Sequence, residues 1–256
     1  MEEIIYGRQP VVELLRAGRR KCSRLCIRRG TKSAPEMDDL FSLARECGVR
    51  IDNLDDAWFD RTLAGAHHQG VAVMCSAYPY ASFDDVIGEC KGRDDGDPPL
   101  WLLLDHIQDP QNLGSLLRTA DAMGVHGVVI PKDRAVGVTP TVVRVSAGAS
   151  EHVSVCMETN LVRSMEVLKE EGIWLSGLEA CPEAKPYGEA DLDGALGLVV
   201  GSEGKGLTRL VREACDFLVS IPLYGHVDSL NAAVAGAIAL CEIRRRRGAV
   251  AGDGKE

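Results

Sequence analysis

The sequence predicts an α/β fold with a mostly parallel sheet, and three observations support this prediction. Short apolar runs alternate with segments of helical period. The apolar runs of the C-terminal part are continuous, as in strands buried on both faces. Finally, the 256 residues have an ordinary soluble composition, 45% hydrophobic and 26% charged, and suffice for one large domain or two ordinary ones.

Residues 1–78 are predicted to form a small N-terminal α/β domain. The apolar spacing predicts strands over 24–28, 49–54 and 71–75, and helices over 10–17, 36–47 and 56–63. The next stretch, 79–99, is acidic, rich in glycine and proline, and weakly periodic. This composition is typical of a linker.

Residues 100–247 are predicted to form the second domain, with a disordered tail over 248–256. The predicted strands are LWLLLD, GVVI, HVSVC, WLSGL, LGLVVG and FLVSIPL. Helices are predicted over 112–123, 139–148, 161–171, 207–214 and 229–246. Ligands bind to parallel sheets of this kind at the carboxyl ends of the strands.

The charge distribution leaves two interpretations open. A net charge of −9 argues against a polyanionic partner. However, eight basic and no acidic residues lie between Arg16 and Lys32, and a second basic cluster is Arg244 to Arg247. Such clusters can neutralise RNA phosphates, or they can form a solvated face and complement a helix C-terminus.

The sequence also leads us to expect a cytoplasmic protein without membrane or metal partners. No apolar run approaches the roughly 18 residues of a membrane span, and MEEIIYGRQP does not resemble a signal peptide. The nine cysteines form no CxxC pair and are expected to be free thiols. His67 and His68 are adjacent, which is unsuitable for sharing a metal on a helix or strand.

The first of three segments with candidate chemistry covers residues 105–124 and starts at the end of the strand LWLLLD. Asn112, Ser115 and Arg118 recur every three residues, on a face other than the apolar stripe of the predicted helix. An amide and a guanidinium would then stand together at a strand end. A solvent-facing polar side is the alternative.

The second segment, LGLVVGSEGKGLTRLV, is a strand followed by a glycine loop and a helix. It is not a P-loop, because Leu207 stands where that motif needs lysine, and Arg209 stands where a dinucleotide fingerprint needs glycine or alanine. The glycines would let a ligand approach the backbone beside the carboxylate of Glu203. A tight turn is the alternative, but it would not require Glu203.

The third segment, IPLYGHVDSLNAAVAGAIAL, is a strand, a turn at Gly225 and a helix of small and apolar residues. The helix is predicted to open with the polar cluster Asp228-Ser229-Leu230-Asn231. Helix capping, for example by Ser229, explains such a cluster without a ligand. Three strand-end loops with unusual polar residues favour a functional explanation.

These motifs resemble those of a known family. NLGSLLRTADAMGV, VVGSEGKGL and IPLYGHVDSLNAAVA are similar, in order and spacing, to the three signature motifs of the SpoU (TrmH-type) RNA ribose 2′-O-methyltransferases of the SPOUT superfamily. IIYGRQPVVELL and HHQGVAV resemble the substrate-binding domain of the family, particularly in its 23S rRNA guanosine methyltransferases. The likeness spans the chain up to about Arg247.

The resemblance implies a deep trefoil knot in the C-terminal domain, which general topology rules would make improbable. It implies a homodimer with its active site near the subunit interface. It also implies S-adenosylmethionine as the cofactor, held in the knot by Gly201, Ile221, Leu223, Gly225 and Leu230.

The catalytic residues implied by the resemblance are Asn112, Arg118, Glu203, Ser229 and Asn231. Because a guanidinium almost never loses its proton, we expect Arg118 to stabilise the developing alkoxide or clamp a phosphate or hydroxyl, which leaves the general base open. Family members commonly have a hydroxyl where this chain has Ala233, so any role of that hydroxyl is in doubt.

The implied function is methyl transfer to the ribose 2′-hydroxyl of a guanosine in 23S rRNA. His68 and Gln69 match the N-terminal motif and are candidates for contacting RNA or for stabilising a turn. The same chemistry on tRNA or another rRNA site is the first alternative, and a non-catalytic RNA-binding assembly factor is an alternative of another class. Such a factor would be expected to lose Asn112, Arg118, Glu203 or Asn231, all of which are present. A nucleotide-dependent α/β enzyme is the weakest alternative.

Overall fold

The computed structural model of the chain describes residues 2–31, 35–93 and 96–248, with only the backbone described at 35 and 36. The chain forms two compact units. Unit 1 comprises Met1–Pro79 and Val138–His152, and unit 2 comprises Tyr80–Gly137 and Val153–Glu256. The predicted tail over 248–256 lies, beyond Gly248, outside the described residues.

The regular elements follow one another along the chain as in an α/β protein. In chain order they are β1 (Glu2–Tyr6), α1 (Arg8–Ala17), β2 (Cys22–Arg28), α2 (Pro35–Glu46), β3 (Arg50–Leu54), α3 (Asp56–Thr62), β4 (Val71–Ser76), α4 (Phe83–Lys91), β5 (Leu100–Asp105), α5 (Pro110–Ala122), β6 (Gly127–Pro131), α6 (Pro140–Val145), a 3-10 turn (Ala149–Glu151), β7 (Val155–Glu158), α7 (Leu161–Glu170), β8 (Trp174–Leu178), β9 (Lys185–Pro186), β10 (Leu196–Gly201), α8 (Arg209–Ala214), β11 (Phe217–Ser220) and α9 (Ala232–Arg246).

Unit 1 contains a four-stranded sheet in the order β1-β4-β2-β3. β4 pairs antiparallel with β1 and with β2, whereas β2 and β3 are parallel. The sequence did not predict β1, because two glutamates precede its short apolar run. The segment Val138–His152, which carries α6 and the 3-10 turn, also belongs to this unit. The predicted domain boundaries did not include this segment in the N-terminal domain, because local periodicity does not indicate which unit a segment packs in.

A buried ion pair joins this segment to the rest of unit 1. The Arg20 guanidinium lies 2.8 Å from the Glu151 carboxylate, and both side chains are fully buried. Arg20 also pairs with Glu3 at 2.8 Å, and its guanidinium lies 5.0 Å from the centre of the Tyr78 ring. Burial raises the pKa of Glu151, and the adjacent Arg20 charge opposes that rise. The charged form of Glu151 therefore depends on Arg20.

The basic run that begins at Arg16 is consequently only partly available to an RNA partner. Arg19 donates to the carbonyl of Pro79 at 3.0 Å, and Arg24 pairs with a carboxylate of β3 at 2.6 Å. Together with the buried Arg20, these residues stabilise unit 1 itself. These partners favour the structural interpretation for the three arginines, and Lys32 lies outside the described residues.

Unit 2 is built on a seven-stranded sheet in the order β7-β6-β5-β10-β8-β11-β9. Every neighbouring pair in this sheet is parallel, which confirms the predicted α/β class. All residues of β5 and β10 are buried, as their continuous apolar runs predicted. α4, α7 and α8 cover one face, where they pack around Trp101, Leu103 and Val199. α5 and α9 pack together and α9 contacts β10. α4 lies within the stretch that was predicted to be a linker.

The second basic cluster, at the end of α9, binds backbone carbonyls within unit 2. Arg244 pairs with Asp97 at 2.6 Å and donates to the Met123 and Gly124 carbonyls. Arg246 and Arg247 donate to carbonyls of Tyr187, Gly188, Ala190, Pro98, Pro99 and Gly194. This favours the structural interpretation of the cluster, in which cations complement carbonyl groups.

The residues that the structure describes contain neither a candidate membrane span nor a candidate metal cluster. None of the described helices combines the length and apolar character needed to cross a bilayer. Likewise, no three histidine, cysteine, aspartate or glutamate side chains of the described ranges are grouped so that they could hold a metal ion.

The buried ion pair leads to a stability prediction. Arg20→Met leaves the Glu151 carboxylate buried without its partner, so the free energy of unfolding should fall by about 3–5 kcal/mol. The control Arg50→Ala removes a highly exposed arginine that pairs with Asp52 at 2.8 Å, and should cost less than about 1 kcal/mol. Urea denaturation followed by circular dichroism measures both. A loss for Arg20→Met no larger than that of the control would contradict this account.

Candidate active site

The three segments singled out from the sequence meet at one edge of the unit 2 sheet. β5 is followed by the segment that starts α5. β10 is followed by the glycine loop 201–206 and the two residues that lead into α8, and β11 by the loop 221–231. β10 pairs with β5 on one side and with β8 on the other, and β8 pairs with β11. Because these strands are parallel, their carboxyl ends and the following loops lie at the same edge.

One polar side chain from each segment takes part in a hydrogen-bonded triangle. Asn231 Nδ2 donates to Asn112 Oδ1 at 2.8 Å and to Glu203 Oε2 at 3.2 Å. Asn112 Nδ2 donates to the same Glu203 oxygen at 3.3 Å. The Glu203 carboxylate is therefore held between two amides that lie 119 positions apart in the sequence.

Asn112 is positioned by the first turn of α5. Asp109 is the N-cap and its carboxylate accepts a hydrogen bond from Gln111 N at 2.9 Å, and Pro110 occupies the first helical position. Asn112 is only 7% exposed. A buried amide needs hydrogen-bond partners, and the triangle supplies them.

Asn231 has a second role as the N-cap of α9. Its Oδ1 accepts hydrogen bonds from Ala233 N at 3.0 Å and Val234 N at 3.3 Å. The prediction that the helix opens at 229, and that Ser229 could cap it, is therefore wrong: α9 begins at Ala232. Asn231 therefore both caps α9 and belongs to the hydrogen-bonded triangle, so the two explanations of this cluster hold for the same residue.

The glycine loop between β10 and α8 is tightly folded. A side chain at Gly201 would overlap the Gly206 backbone, and Gly204 and Gly206 have positive φ angles of 77° and 64°. The buried carboxylate of Asp105, at the end of β5, accepts a hydrogen bond from Thr208 N at 2.6 Å. This bond fixes the far end of the loop to the neighbouring strand.

A cavity of about 360 Å³ is lined by the glycine loop 201–206, by Asp228 and by four other residues that the sequence had singled out: Ile221, Leu223, Ser229 and Leu230. Glu203 contributes to this lining, whereas Gly225 does not. A second cavity of about 380 Å³ lies at the amino ends of β8, β10 and β11 and is lined by none of the predicted site residues. The chemistry is therefore expected at the first cavity.

The remaining predicted residues lie outside this cavity. Arg118 is exposed on α5 and makes no ion pair with the described residues. Ala233 is buried at the start of α9, so no hydroxyl is present at that position. The structure thus brings Asn112, Glu203 and Asn231 into contact, whereas Arg118 is not ion-paired with any residue of the described ranges.

Two carboxylates of this edge were not predicted. Asp105 ends an apolar strand, and a buried acid at that point in the sequence could have been noticed. Glu179 lines the cavity and lies 2.9 Å from Arg212. It follows β8 outside every motif, so no sequence signal distinguished it from an ordinary surface residue.

His68 and Gln69 of the N-terminal motif stabilise a turn in unit 1. His68 Nδ1 accepts a hydrogen bond from Gly70 N at 3.0 Å, and the ring stacks on Phe59 with centroids 4.7 Å apart. Gln69 has a φ of 53° and its Oε1 accepts from Arg8 N at 3.1 Å. These contacts favour the turn-stabilising interpretation.

Comparison with known proteins identifies the family. Residues 99–241 match the SpoU rRNA Methylase family, and residues 4–81 match the RNA 2′-O ribose methyltransferase substrate-binding family. The chain belongs to the SpoU methyltransferase family. This confirms the resemblance, and it makes the chain an RNA 2′-O-ribose methyltransferase with an N-terminal substrate-binding domain.

Individual relatives align with nearly the whole length of this SpoU methyltransferase. YacO of Bacillus subtilis, assigned to the TrmH family of tRNA/rRNA methyltransferases, is 41% identical over 248 residues, which is 97% of each chain. A TrmH-family RNA methyltransferase from Porphyromonas gingivalis has a TM-score of 0.73 at 26% identity, over 96% of this chain and 90% of that one.

One similar structure contains a cofactor. The SpoU methyltransferase AviRb from Streptomyces viridochromogenes, crystallised in complex with AdoMet (S-adenosylmethionine), has a TM-score of 0.78 and 24% identity. The alignment covers 96% of this chain and 90% of AviRb. The overall folds therefore correspond.

The double role of Asn231 can be separated by two substitutions. Serine keeps an N-cap acceptor and alanine does not, so Asn231→Ala should be about 1 kcal/mol less stable to unfolding than Asn231→Ser. Both variants lose the amide that holds Glu203, so their methyl-transfer rates should fall to a similar extent. Urea denaturation and transfer of labelled methyl groups measure the two effects. Equal stabilities would contradict the capping role, and an active Asn231→Ser would contradict the site role.

Proposed function

We propose that this SpoU methyltransferase transfers a methyl group from S-adenosylmethionine to the ribose 2′-hydroxyl of a guanosine in 23S rRNA. The observation that carries the proposal is the convergence of Asn112, Glu203 and Asn231 next to the glycine loop at the carboxyl edge of the sheet. The family match supports the reaction class, and relatives described as tRNA/rRNA methyltransferases support an RNA substrate.

The residues of the cavity fit S-adenosylmethionine. A volume of about 360 Å³ is in the usual range for small-molecule sites. Ile221, Leu223 and Leu230 offer apolar contacts for the adenine, and the closely packed glycine loop offers backbone groups for hydrogen bonds. The carboxylates of Glu203 and Asp228 suit a cationic ligand. When bound, this cofactor supplies a methyl group attached to a positively charged sulfur.

The side chains must then orient and activate the ribose hydroxyl, which is a weak nucleophile at neutral pH. Arg118 is exposed and has no ion pair among the described residues, so it is available to stabilise a developing alkoxide or to hold a phosphate. Two amide donors hold the Glu203 carboxylate in place, and its oxygens can orient the hydroxyl by accepting a hydrogen bond from it. Ser229 lines the cavity and can hydrogen-bond to either ligand.

Unit 1 is proposed to bind structured RNA. Residues 4–81 match a substrate-binding family. Within the basic run, Lys21 and Arg29 are exposed and make no ion pair with the residues that the structure describes. These two cations are the best candidates for phosphate contacts.

We also propose that the protein acts in the cytoplasm and that it is a homodimer. Four apolar side chains of the loop after β11 and of α9 support an association surface. Their exposed fractions are 36% for Leu223, 97% for Tyr224, 65% for Val227 and 47% for Val234. Exposed apolar side chains of this size favour a protein interface.

The same chemistry on tRNA or on another rRNA site is the second candidate function, because relatives such as YacO are described as tRNA/rRNA methyltransferases. A non-catalytic assembly factor is disfavoured by the complete triangle, because RNA binding alone does not require Asn112, Glu203 and Asn231 to be hydrogen-bonded to one another beside the cavity.

The proposal is tested by incubating the protein with labelled S-adenosylmethionine and unmodified 23S rRNA or tRNA, followed by nucleoside mass spectrometry. We expect 2′-O-methylguanosine at one position of 23S rRNA. Methylation confined to tRNA would support the second candidate. No 2′-O-methyl group in either RNA would contradict the proposed enzyme activity.

Arg118 provides a sharper prediction. Arg118→Ala should lower the transfer rate about 10²- to 10³-fold, as expected for the loss of one electrostatic stabiliser. Cofactor affinity should change by less than about threefold, because Arg118 does not line the cavity. The control Arg209→Ala removes an exposed arginine that pairs with Glu213. It should leave both the transfer rate and the cofactor affinity unchanged. Equal losses of rate and affinity for Arg118→Ala would place Arg118 in the cofactor site instead.

A further inference from the structure

Glu179 is a carboxylate of the cavity to which the proposed function assigns no role. It directly follows β8, which lies between β10 and β11 in the sheet. Its backbone N–H donates to Val219 O at 2.9 Å, so the main chain is fixed to β11. Glu179 therefore lines the same cavity as the glycine loop and Leu230.

The two oxygens of the Glu179 carboxylate have different surroundings. Oε2 is buried and lies 2.9 Å from Arg212 Nε. Oε1 lies near Gly206, where an added Cβ would be 3.4 Å away. Glycine at 206 therefore leaves the space beside Oε1 open towards the loop. The carboxylate is fixed on one side and available on the other.

Arg212 also determines how this carboxylate can be used. Its guanidinium pairs with Glu179 and, at 3.0 Å, with Glu183. Because Arg212 already offsets part of the Glu179 charge, this carboxylate is better suited to accept hydrogen bonds than to act as the counter-ion of a ligand. Neutral hydroxyl donors match such an acceptor, and carboxylates near strand ends bind ribose hydroxyls in other nucleotide-binding α/β folds.

We infer that Glu179 recognises the ribose of bound S-adenosylmethionine, by accepting hydrogen bonds from its hydroxyl groups through Oε1. The inference rests on the proposed function, because it takes this cofactor as the ligand of the cavity. Arg212 is a positioning residue that holds the carboxylate. Glu179 is thus a determinant of cofactor specificity that none of the three sequence motifs contains.

Calorimetric binding to the full chain tests the inference without any dependence on activity. The ligands are S-adenosylmethionine, S-adenosylhomocysteine, and S-adenosylhomocysteine that lacks both ribose hydroxyls. Glu179→Ala should raise the Kd of the first two about 10- to 100-fold, as for a lost hydrogen bond to a charged group. It should leave the Kd of the dideoxy ligand within about twofold of the wild-type value.

Two further variants complete the experiment. Glu183 is the other carboxylate that pairs with Arg212, and it does not line the cavity. Glu183→Ala should therefore leave all three Kd values unchanged. Glu179→Gln preserves the shape of the side chain and one acceptor oxygen, so it should weaken ligand binding less than Glu179→Ala does. This second substitution separates a lost hydrogen bond from a folding defect.

The possible outcomes separate the hypotheses. An equal loss for the dideoxy ligand, or no loss for any ligand, would overturn the role of Glu179 while the proposed function stands. A loss confined to S-adenosylmethionine would show that Glu179 binds the cationic sulfonium and would also overturn the inference. A wild-type chain that binds none of the three ligands would contradict the proposed function, and this inference with it.

Discussion

The carboxylate of Glu203, held between the amides of Asn112 and Asn231, is the interaction on which the rest of the site depends. Both amides donate to the same carboxylate oxygen, and hydrogen bonds to a charged acceptor of this kind hold the Glu203 side chain in one orientation. The three residues belong to three segments that follow different strands, and each lies in a strand-end loop or in the first turn of the next helix. Only the parallel order of β5, β10, β8 and β11 places those loops at one edge. The topology of the sheet is therefore a condition for the chemistry.

The helix α9, which Asn231 caps, is held in place at both ends. Asn231 caps the start of α9, and the arginines at its end bind carbonyls of several loops. Along its length α9 packs closely on α5, since a side chain at Gly236 would lie 2.6 Å from Leu116. The small residues of α9 thus allow Asn112 and Asn231 to meet. Packing, capping and the site geometry are coupled through one helix.

The sequence contained enough information to predict the features that depend on local pattern. Continuous apolar runs predicted the buried strands, and the ordered motifs indicated the three loops. Features that depend on distant partners were not predictable. Nothing near Glu151 shows that Arg20 will pair with it, and nothing near Glu179 shows that β8 will lie beside β10. Similarly, the sequence left open which basic residues of unit 1 and of α9 bind phosphate and which stabilise the fold, because their internal partners lie far away in the chain.

A crystal structure of the chain with S-adenosylhomocysteine is the most direct test of the central claim. We expect the ligand against the glycine loop 201–206 and Leu230, with Glu203 still held between Asn112 and Asn231. A ligand bound instead in the cavity beside Trp174, at the opposite edge of the sheet, would contradict the account. So would a complex in which Asn231 has left Glu203.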